Sequence, residues 1–548
     1  MRSQLSSRKK DRDVSKVLFI ADKISEDALE YLAGFPSLEV DNRPGLDQAE
    51  KLEAVGRADA LIVRSATQVD SELLEAAPSL SLVVRAGVGV DNIDLDAATR
   101  KGVVVQNVPE GNTRSAAEHT IAMMLALSRN IPEAHRSVKA GEWDRGRFVG
   151  VEFQGKTLGV IGFGKIGRHV AHMAAGLGLE ILAFDPFLAP HMAEELGIEL
   201  VADLGDLASR CDFLSVHVPK TEGTSALIGS EVLGKARKGL RLVNCARGGI
   251  VDEAALLEAL EAGQVAGAAL DVFEQEPPVD RALVDHPAVV VTPHLGASTR
   301  EAQVNVARSA AQLVVDYLEN GKLHSPVNAV FLEPDMRERL DPYGELGRRL
   351  GRLQAQFLEG NPERILVQYF GDMFDEPRSQ NFVTARVLSG FLGDRCSQPV
   401  NQVNARALAR EQGLVVEESS EGRSRYFANM IRVELTDSSG ARNLGGSIRG
   451  RKGIRLVSLD NYHFDAVLEG WMVIAANEDR PGMIGTIGQV LSSHEVNISS
   501  MSLGRDQSGG TALSVINLDD PEEKKLPAVA EELTSREGIL WARTLQAE

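Results

Sequence analysis

The amino-acid sequence predicts an α/β chain with two doubly wound parallel-sheet domains, followed by an α+β domain and a smaller module of βαββαβ order. Three observations carry this. A length of 548 residues is too great for one hydrophobic core, so several domains follow from size. From Lys16 onward, short β-branched runs alternate with longer amphipathic stretches, the pattern of βαβ units. The final segment changes rhythm to strand, helix, strand, strand, helix, strand.

Composition narrows the function classes. With 43% hydrophobic and 25% charged residues the chain is globular, and its net charge of -19 argues against a nucleic-acid partner, since a broad acidic surface repels a polyphosphate. An anionic ligand must therefore meet a local cluster of Arg or Lys. Cys211, Cys245 and Cys396 are too far apart for a disulfide framework or a metal-ligand spacing, so no metal is expected and a cytoplasmic location fits. No apolar run reaches the roughly 18 residues of a membrane span, so no membrane partner is expected. Residues 1–15 mix Arg and Lys with Ser and Asp and read as a solvated, disordered tail.

The first sheet domain is expected over 16–110, from VLFIAD, the helix SEDALEYLAGF, LIVRS, a helix from Asp70 to Ala77, and LVVRAG. A helical segment, TRSAAEHTIAMMLALSRNIPEAHRSVKAG, bridges into a second domain over 111–296 with the strands TLGVIG, ILAFDP, FLSVHVP, RLVNCARGG, AGAALDVF and VVVTPH. The helix STREAQVNVARSAAQLVVDYLENG then returns the chain, so 297–330 completes the first domain. Over 335–468 a helix from Pro342 to Gly360 precedes strand-like runs such as RILVQYF and RYFANMIRVEL, with no catalytic constellation. The module over 470–548 has the ferredoxin-like plan.

Gly162, Gly164 and Gly167 form G-x-G-x-x-G between a buried strand and a helix. In that context the first glycine makes a tight turn, the second admits a pyrophosphate and the third lets helix and strand pack, as in a Rossmann dinucleotide site. Asp185 ends the next strand, about 20 residues on, where a carboxylate accepts the ribose hydroxyls and repels a 2′-phosphate, favouring NAD over NADP. The second glycine-rich run, Arg85 to Asn92, has no long helix behind it and reads as a cleft loop.

Three polar motifs each follow a strand of the second domain: NCARGG with Arg247, DVFEQEPP with Glu276 and TPHLGAST with His294. In residue type and order they resemble the D-isomer-specific 2-hydroxyacid dehydrogenase family, a likeness covering about residues 16 to 330. The resemblance implies oxidation of a secondary alcohol, for which a base tunable near neutrality must take the hydroxyl proton. His294 is the expected base. Glu276 would hold the imidazole and stabilise its cation, and Arg247 would bind the substrate carboxylate with its planar fork. The same resemblance places Lys165, Ile166, Cys245, Ala246, Asp271, Gly296 and Ala297 at the cofactor, beside Arg247 and His294. His119 and His217 read as structural.

The runs LIVRSATQV, VVRAGVGVDNIDLDAAT, VQNVPEGNTRSAAEHT and PHLGASTREAQ are similar to the branch of that family acting on phosphoglycerate. That implies oxidation of 3-phosphoglycerate to 3-phosphooxypyruvate, the first step of serine synthesis. Arg64 and Ser65 would face the cleft, with Asn112 in the hinge approach. Arg64 is the first choice for the phosphate, with Arg85 and Arg145 as further candidates and Arg145 able to reach a neighbouring subunit. Val88 stands where some relatives have a threonine near the cofactor.

NEDRPGMIGTIGQVLSSHEVNIS resembles an ACT domain, and the segment before it resembles the intervening domain of the long forms. By that likeness Asn477, Asp479 and Asn497 would lie near a serine effector between paired modules of a homo-oligomer, a dimer or homotetramer. Arg449, Arg451 and Lys452 form either an anion site or a solvated basic turn. The alternative activities are reduction of glyoxylate or hydroxypyruvate, which the long tail disfavours, and a non-catalytic NAD-sensing regulator, which the intact Arg247, Glu276 and His294 disfavour.

Overall fold

The computed structural model describes residues 15–424, 426–450 and 453–548, so residues 1–14 of the expected tail, and Arg451 and Lys452 of the basic turn, lie outside the described residues. The first sheet has five parallel strands, Lys16–Ile20, Leu38–Asn42, Ala60–Val63, Leu82–Arg85 and Val104–Asn107, in the order second, first, third, fourth, fifth. Leu38–Asn42 was not among the expected strands. It is an edge strand in which Glu39 is exposed and Asp41 is buried against Arg43 and Arg57, so it shows no apolar run. Strand order reverses between Lys16–Ile20 and Ala60–Val63, which sets a crevice at their carboxyl ends, beside Asp22 and Arg64.

The second sheet has seven parallel strands in the order Val289–Val291, Val265–Leu270, Leu240–Asn244, Phe213–Val216, Thr157–Ile161, Glu180–Phe184, Glu199–Leu200. Its reversal lies between Phe213–Val216 and Thr157–Ile161, at the glycine motif. The segment after the first sheet forms two helices, Thr113–Ser128 and Ile131–Lys139, rather than one run. Asn130 breaks it with a left-handed backbone (φ 53°), and Pro132 opens the second helix. Ala117, Ile121 and Met124 of the first of these helices enter a core on the second sheet, while Val306, Ala310 and Val314 of helix Arg300–Asn320 enter a core on the first sheet.

Behind these lies a six-stranded sheet in the order Val415–Ser420, Pro362–Phe370, Met430–Asp437, Gly440–Arg449, Gly453–Leu459, Tyr462–Val467, with only the first pair parallel. Its long helix runs over Pro334–Phe357, so the expected start at Pro342 is too late. Leu340 and Tyr343 pack into the core on either side of the proline, and that burial overrides the local break. A helix at Pro377–Leu392 was missed; it lies so close that a Cβ on Gly351 would sit 2.0 Å from the Val387 carbonyl oxygen. The last sheet, Asn497–Arg505, Thr511–Asp519, Trp471–Glu478, Ile539–Gln546, is antiparallel and carries helices Met483–Ser493 and Leu526–Ser535 on one face.

Candidate active site

His294 follows the last strand of the second sheet with φ 56°, a left-handed backbone uncommon outside glycine. Asp271 holds it there. Its carbonyl accepts the His294 N–H at 2.9 Å, and its carboxylate accepts the Leu295 N–H at 2.7 Å, the Gly296 N–H at 2.9 Å and the Thr292 hydroxyl at 2.5 Å, with His119 Nε2 at 3.1 Å. Burial opposes ionisation of Asp271, but these donors win and keep its carboxyl below the ordinary carboxylate range. Asp271 is fully buried, and it orders the loop bearing His294. Among the described residues His119, Cys245 and Asp271 form a group with metal-donor atoms, but the Asp271 oxygens are already engaged by these donors. Burial and the Asp271 charge push the Cys245 thiol up to about 12, so it stays a neutral thiol.

His294 Nδ1 lies 2.8 Å from Glu276 Oε2, and Glu276 Oε1 accepts the Phe273 N–H at 3.1 Å. A carboxylate on Nδ1 leaves Nε2 for a substrate proton. Arg247 projects from the loop after Leu240–Asn244, where Asn244 donates to the Arg247 carbonyl at 3.0 Å. Gly248 lets that loop press on the Glu276 loop, since a Cβ there would overlap the Phe273 oxygen at 1.6 Å. Arg247 and His294 thus border one cleft of about 360 Å³, lined also by Val88, Asn112, Ile166, Cys245, Ala246, Gly296 and Ala297. His217 lines it too; burial pushes its imidazole from the ordinary 6.5 down to about 4, so it is neutral.

The dinucleotide cradle is formed as its glycines require. Gly162 has φ 88°, and a Cβ on it would meet the His217 oxygen at 2.8 Å, while Gly164 faces open space at the start of helix Lys165–Gly176. A Cβ on Gly167 would lie 2.1 Å from the Gly162 oxygen, so helix and turn touch. Asp185 accepts the Phe163 N–H at 2.8 Å and the Phe187 N–H at 2.9 Å, which sets its carboxylate beside the glycine turn. Lys165, expected at the cofactor, opens that helix, and its side chain pairs with Glu110 of the hinge approach. These residues fit NAD: an open helix amino terminus for the phosphates and a carboxylate for the ribose.

A second cavity of about 440 Å³ shares Asn112 and Ala297 with the first and is lined by Lys23, Arg64, Arg85 and Arg300. Arg64 is positioned by Asp22, whose carboxylate accepts the Arg64 N–H at 2.6 Å and the Thr67 hydroxyl at 2.7 Å. Burial, then the charge of Arg247, lower Arg85 to about 10, so it stays cationic at neutral pH. Ser65 and Arg145 are exposed and line neither of these two cavities. Sequence reasoning missed Lys23, Asp22 and Arg300. Arg300 had a usable signal, standing directly after the His294 motif as the first residue of the next helix.

In the last module Asn477 is 3% exposed and pairs across the sheet with Ala512, whereas Asn497 pairs with Asp519. Positions 512 and 519 are opposite ends of one strand, roughly 24 Å apart, so one module cannot bring Asn477 and Asn497 onto one ligand. Asp479 accepts the Gly509 N–H at 2.9 Å. Arg449 pairs with Asp465 at 3.0 Å, which favours a solvated turn there. No helix among the described residues is long and apolar enough to cross a membrane.

Fold and site together define an NAD-dependent dehydrogenase of D-2-hydroxy acids. Residues 121–296 match the D-isomer specific 2-hydroxyacid dehydrogenase NAD binding domain, 339–460 the D-3-phosphoglycerate dehydrogenase intervening domain, and 472–538 the ACT domain. The chain is 42% identical to D-3-phosphoglycerate dehydrogenase of Synechocystis over 97% of its length and 95% of that protein. It is 40% identical to the Bacillus subtilis protein of that name, covering 96% and 99%. Among solved structures, NAD+-bound 3-phosphoglycerate dehydrogenase of Entamoeba histolytica matches with TM-score 0.50 and 28% identity, over 58% of this chain and 100% of that one. The chain belongs to the D-3-phosphoglycerate dehydrogenase family.

Proposed function

We propose that the chain oxidises 3-phosphoglycerate to 3-phosphooxypyruvate, with His294 as base, Glu276 as its partner and Arg247 as the carboxylate anchor. The carrying observation is the 2.8 Å His294–Glu276 pair on the cleft that Arg247 lines, beside an arginine-rich cavity. Bound NAD supplies the hydride acceptor. Gly162, Gly164, Ile166, Gly167, Asp185, Cys245, Ala246, Gly296 and Ala297 would hold it, with Asp271 ordering the loop that carries His294. Arg247 orients the carboxylate so that the hydroxyl faces His294 Nε2, and Nε2 takes the proton while Glu276 balances the imidazolium. Arg64, Arg85 and Arg300 receive the phosphate, for which forked guanidiniums are suited.

Serine is the proposed effector, held by Asn477 and Asp479 of one module and Asn497 of another, which the separation within one module requires. A homo-oligomer is supported by an exposed apolar patch of Ile131, Val138, Trp143 and Val149, with Trp143 81% exposed and Arg145 next to it. Three free cysteines suit a reducing cytoplasm. The test is NADH formation over a panel of D-2-hydroxy acids. Arg64→Ala is expected to raise the KM for 3-phosphoglycerate at least tenfold and that for D-glycerate little, about the loss of one charge-assisted phosphate contact. Equal effects on both would take Arg64 off the phosphate, and a panel with no preference for 3-phosphoglycerate would sink the substrate.

A further inference from the structure

Arg247 belongs to the second sheet domain, yet its guanidinium is not free. Its Nε lies 3.2 Å from Oδ2 of Asp91, which belongs to the glycine-rich loop of the first domain. The ion pair therefore spans the cleft. Gly89 makes room for it: a Cβ there would lie 2.1 Å from Arg247 Nη2 and 2.6 Å from Asp91 Oδ2. The Asp91 side chain is 69% exposed, and Arg247 is its ion-pair partner. By contrast Arg247 is anchored from its own side, donating through Nη1 to the Ala246 carbonyl at 2.7 Å.

We propose that Asp91 is an internal stand-in for the substrate carboxylate, occupying Arg247 in the empty enzyme and yielding it when substrate arrives. This rests on the reading of Arg247 as the carboxylate anchor. Displacement is favoured by charge, because Arg85 stands beside the pair with a buried Nε that has no partner among the described residues. Two guanidiniums thus stand near one carboxylate, each within the electrostatic field of the others, and a second anion is attracted rather than repelled. An exposed ion pair is easily exchanged for an equivalent one, so Asp91 acts as a competitor present at all times. It reduces the apparent affinity of every carboxylate ligand of Arg247 by one common factor.

The experiment compares wild type with Asp91→Asn, which keeps the shape and removes the charge. The KM for 3-phosphoglycerate and the inhibition constant of oxamate, a carboxylate that cannot be oxidised, should both fall by the same factor, about twofold to fivefold from the strength of exposed pairs. A merely structural role predicts the reverse, weaker binding and a lower kcat. Unchanged or raised constants would overturn the stand-in. Arg247→Gln separates the two layers: if it still binds oxamate as wild type does, the carboxylate anchor itself is wrong. If it loses oxamate while Asp91→Asn binds no more tightly, only the role of Asp91 falls.

Discussion

The front and rear halves of this protein join their domains in opposite ways. In front, each parallel sheet has its own cores on its two faces, and no residue is shared between the cores of the first domain and those of the second. Between them lie open clefts crossed by ion pairs, Arg247 with Asp91 and Lys165 with Glu110. At the rear a single core unites Leu346, Ile365 and Val433 of the intervening domain with Met472, Ile474, Leu513 and Val515 of the last module. Arg543 over the Phe357 ring at 5.7 Å, and Arg349 with Glu548 at 2.8 Å, reinforce that junction. The rear unit is also tied to the first domain, where Asn401 donates to the Gly102 carbonyl at 2.8 Å and Val403 enters the core. The proposed chemistry occupies the junction where the cores stay separate, and the ACT-type module is attached through the junction with a common core.

The largest expected effect lies in the front cleft. His294→Ala should lower kcat roughly a hundred- to ten-thousand-fold, the usual worth of a general base, with NAD affinity nearly intact. Stopped turnover with normal cofactor titration is the predicted pair of results; wild-type turnover would remove His294 from the chemistry.

At the rear, Ile474→Ala opens a cavity in the shared core and should cost about 2–5 kcal/mol. Calorimetry should show the intervening and last modules melting together at a lower temperature, with the front transition in place. Two independent rear transitions would contradict a common core.

The third effect is confined to acid. His217 is held neutral, with its value lowered from 6.5 to about 4, so between these limits the unfolded chain binds a proton that the folded chain does not. Stability therefore falls as pH drops through that window, by about 3 kcal/mol at its lower end at 1.36 kcal/mol per unit. His217→Asn should flatten this slope in urea titrations. Asp271, lowered below its ordinary 3.8, adds a loss of the same sign at still lower pH. An unchanged slope in the variant would place the acid sensitivity elsewhere.

Much of this was legible in the residues. The glycine spacing, Asp185 and the ordered motifs around Arg247, Glu276 and His294 are local signals whose geometry follows from a strand ending at a loop. The βαββαβ module was read strand by strand because its strands are short β-rich runs, two of them continuously buried, and each helix keeps its period. Less visible were features that depend on distant partners. Leu38–Asn42 lacks an apolar run because it is an edge, Pro342 looks like a helix start until its neighbours are buried, and Asp22 is an ordinary acid until it meets Arg64 and Thr67.

By itself the sequence determined the order of domains, the dinucleotide turn and the types of catalytic side chain, since backbone conformation and hydrophobic period are set by residues close in the chain. Tertiary structure alone decided that Asp91 meets Arg247, that Arg300 joins Arg64 and Arg85 at one cavity, and that two rear modules share one interior. Those contacts join residues far apart along the chain, and only the packing of whole sheets and helices selects which of many equivalent charges and apolar faces come together.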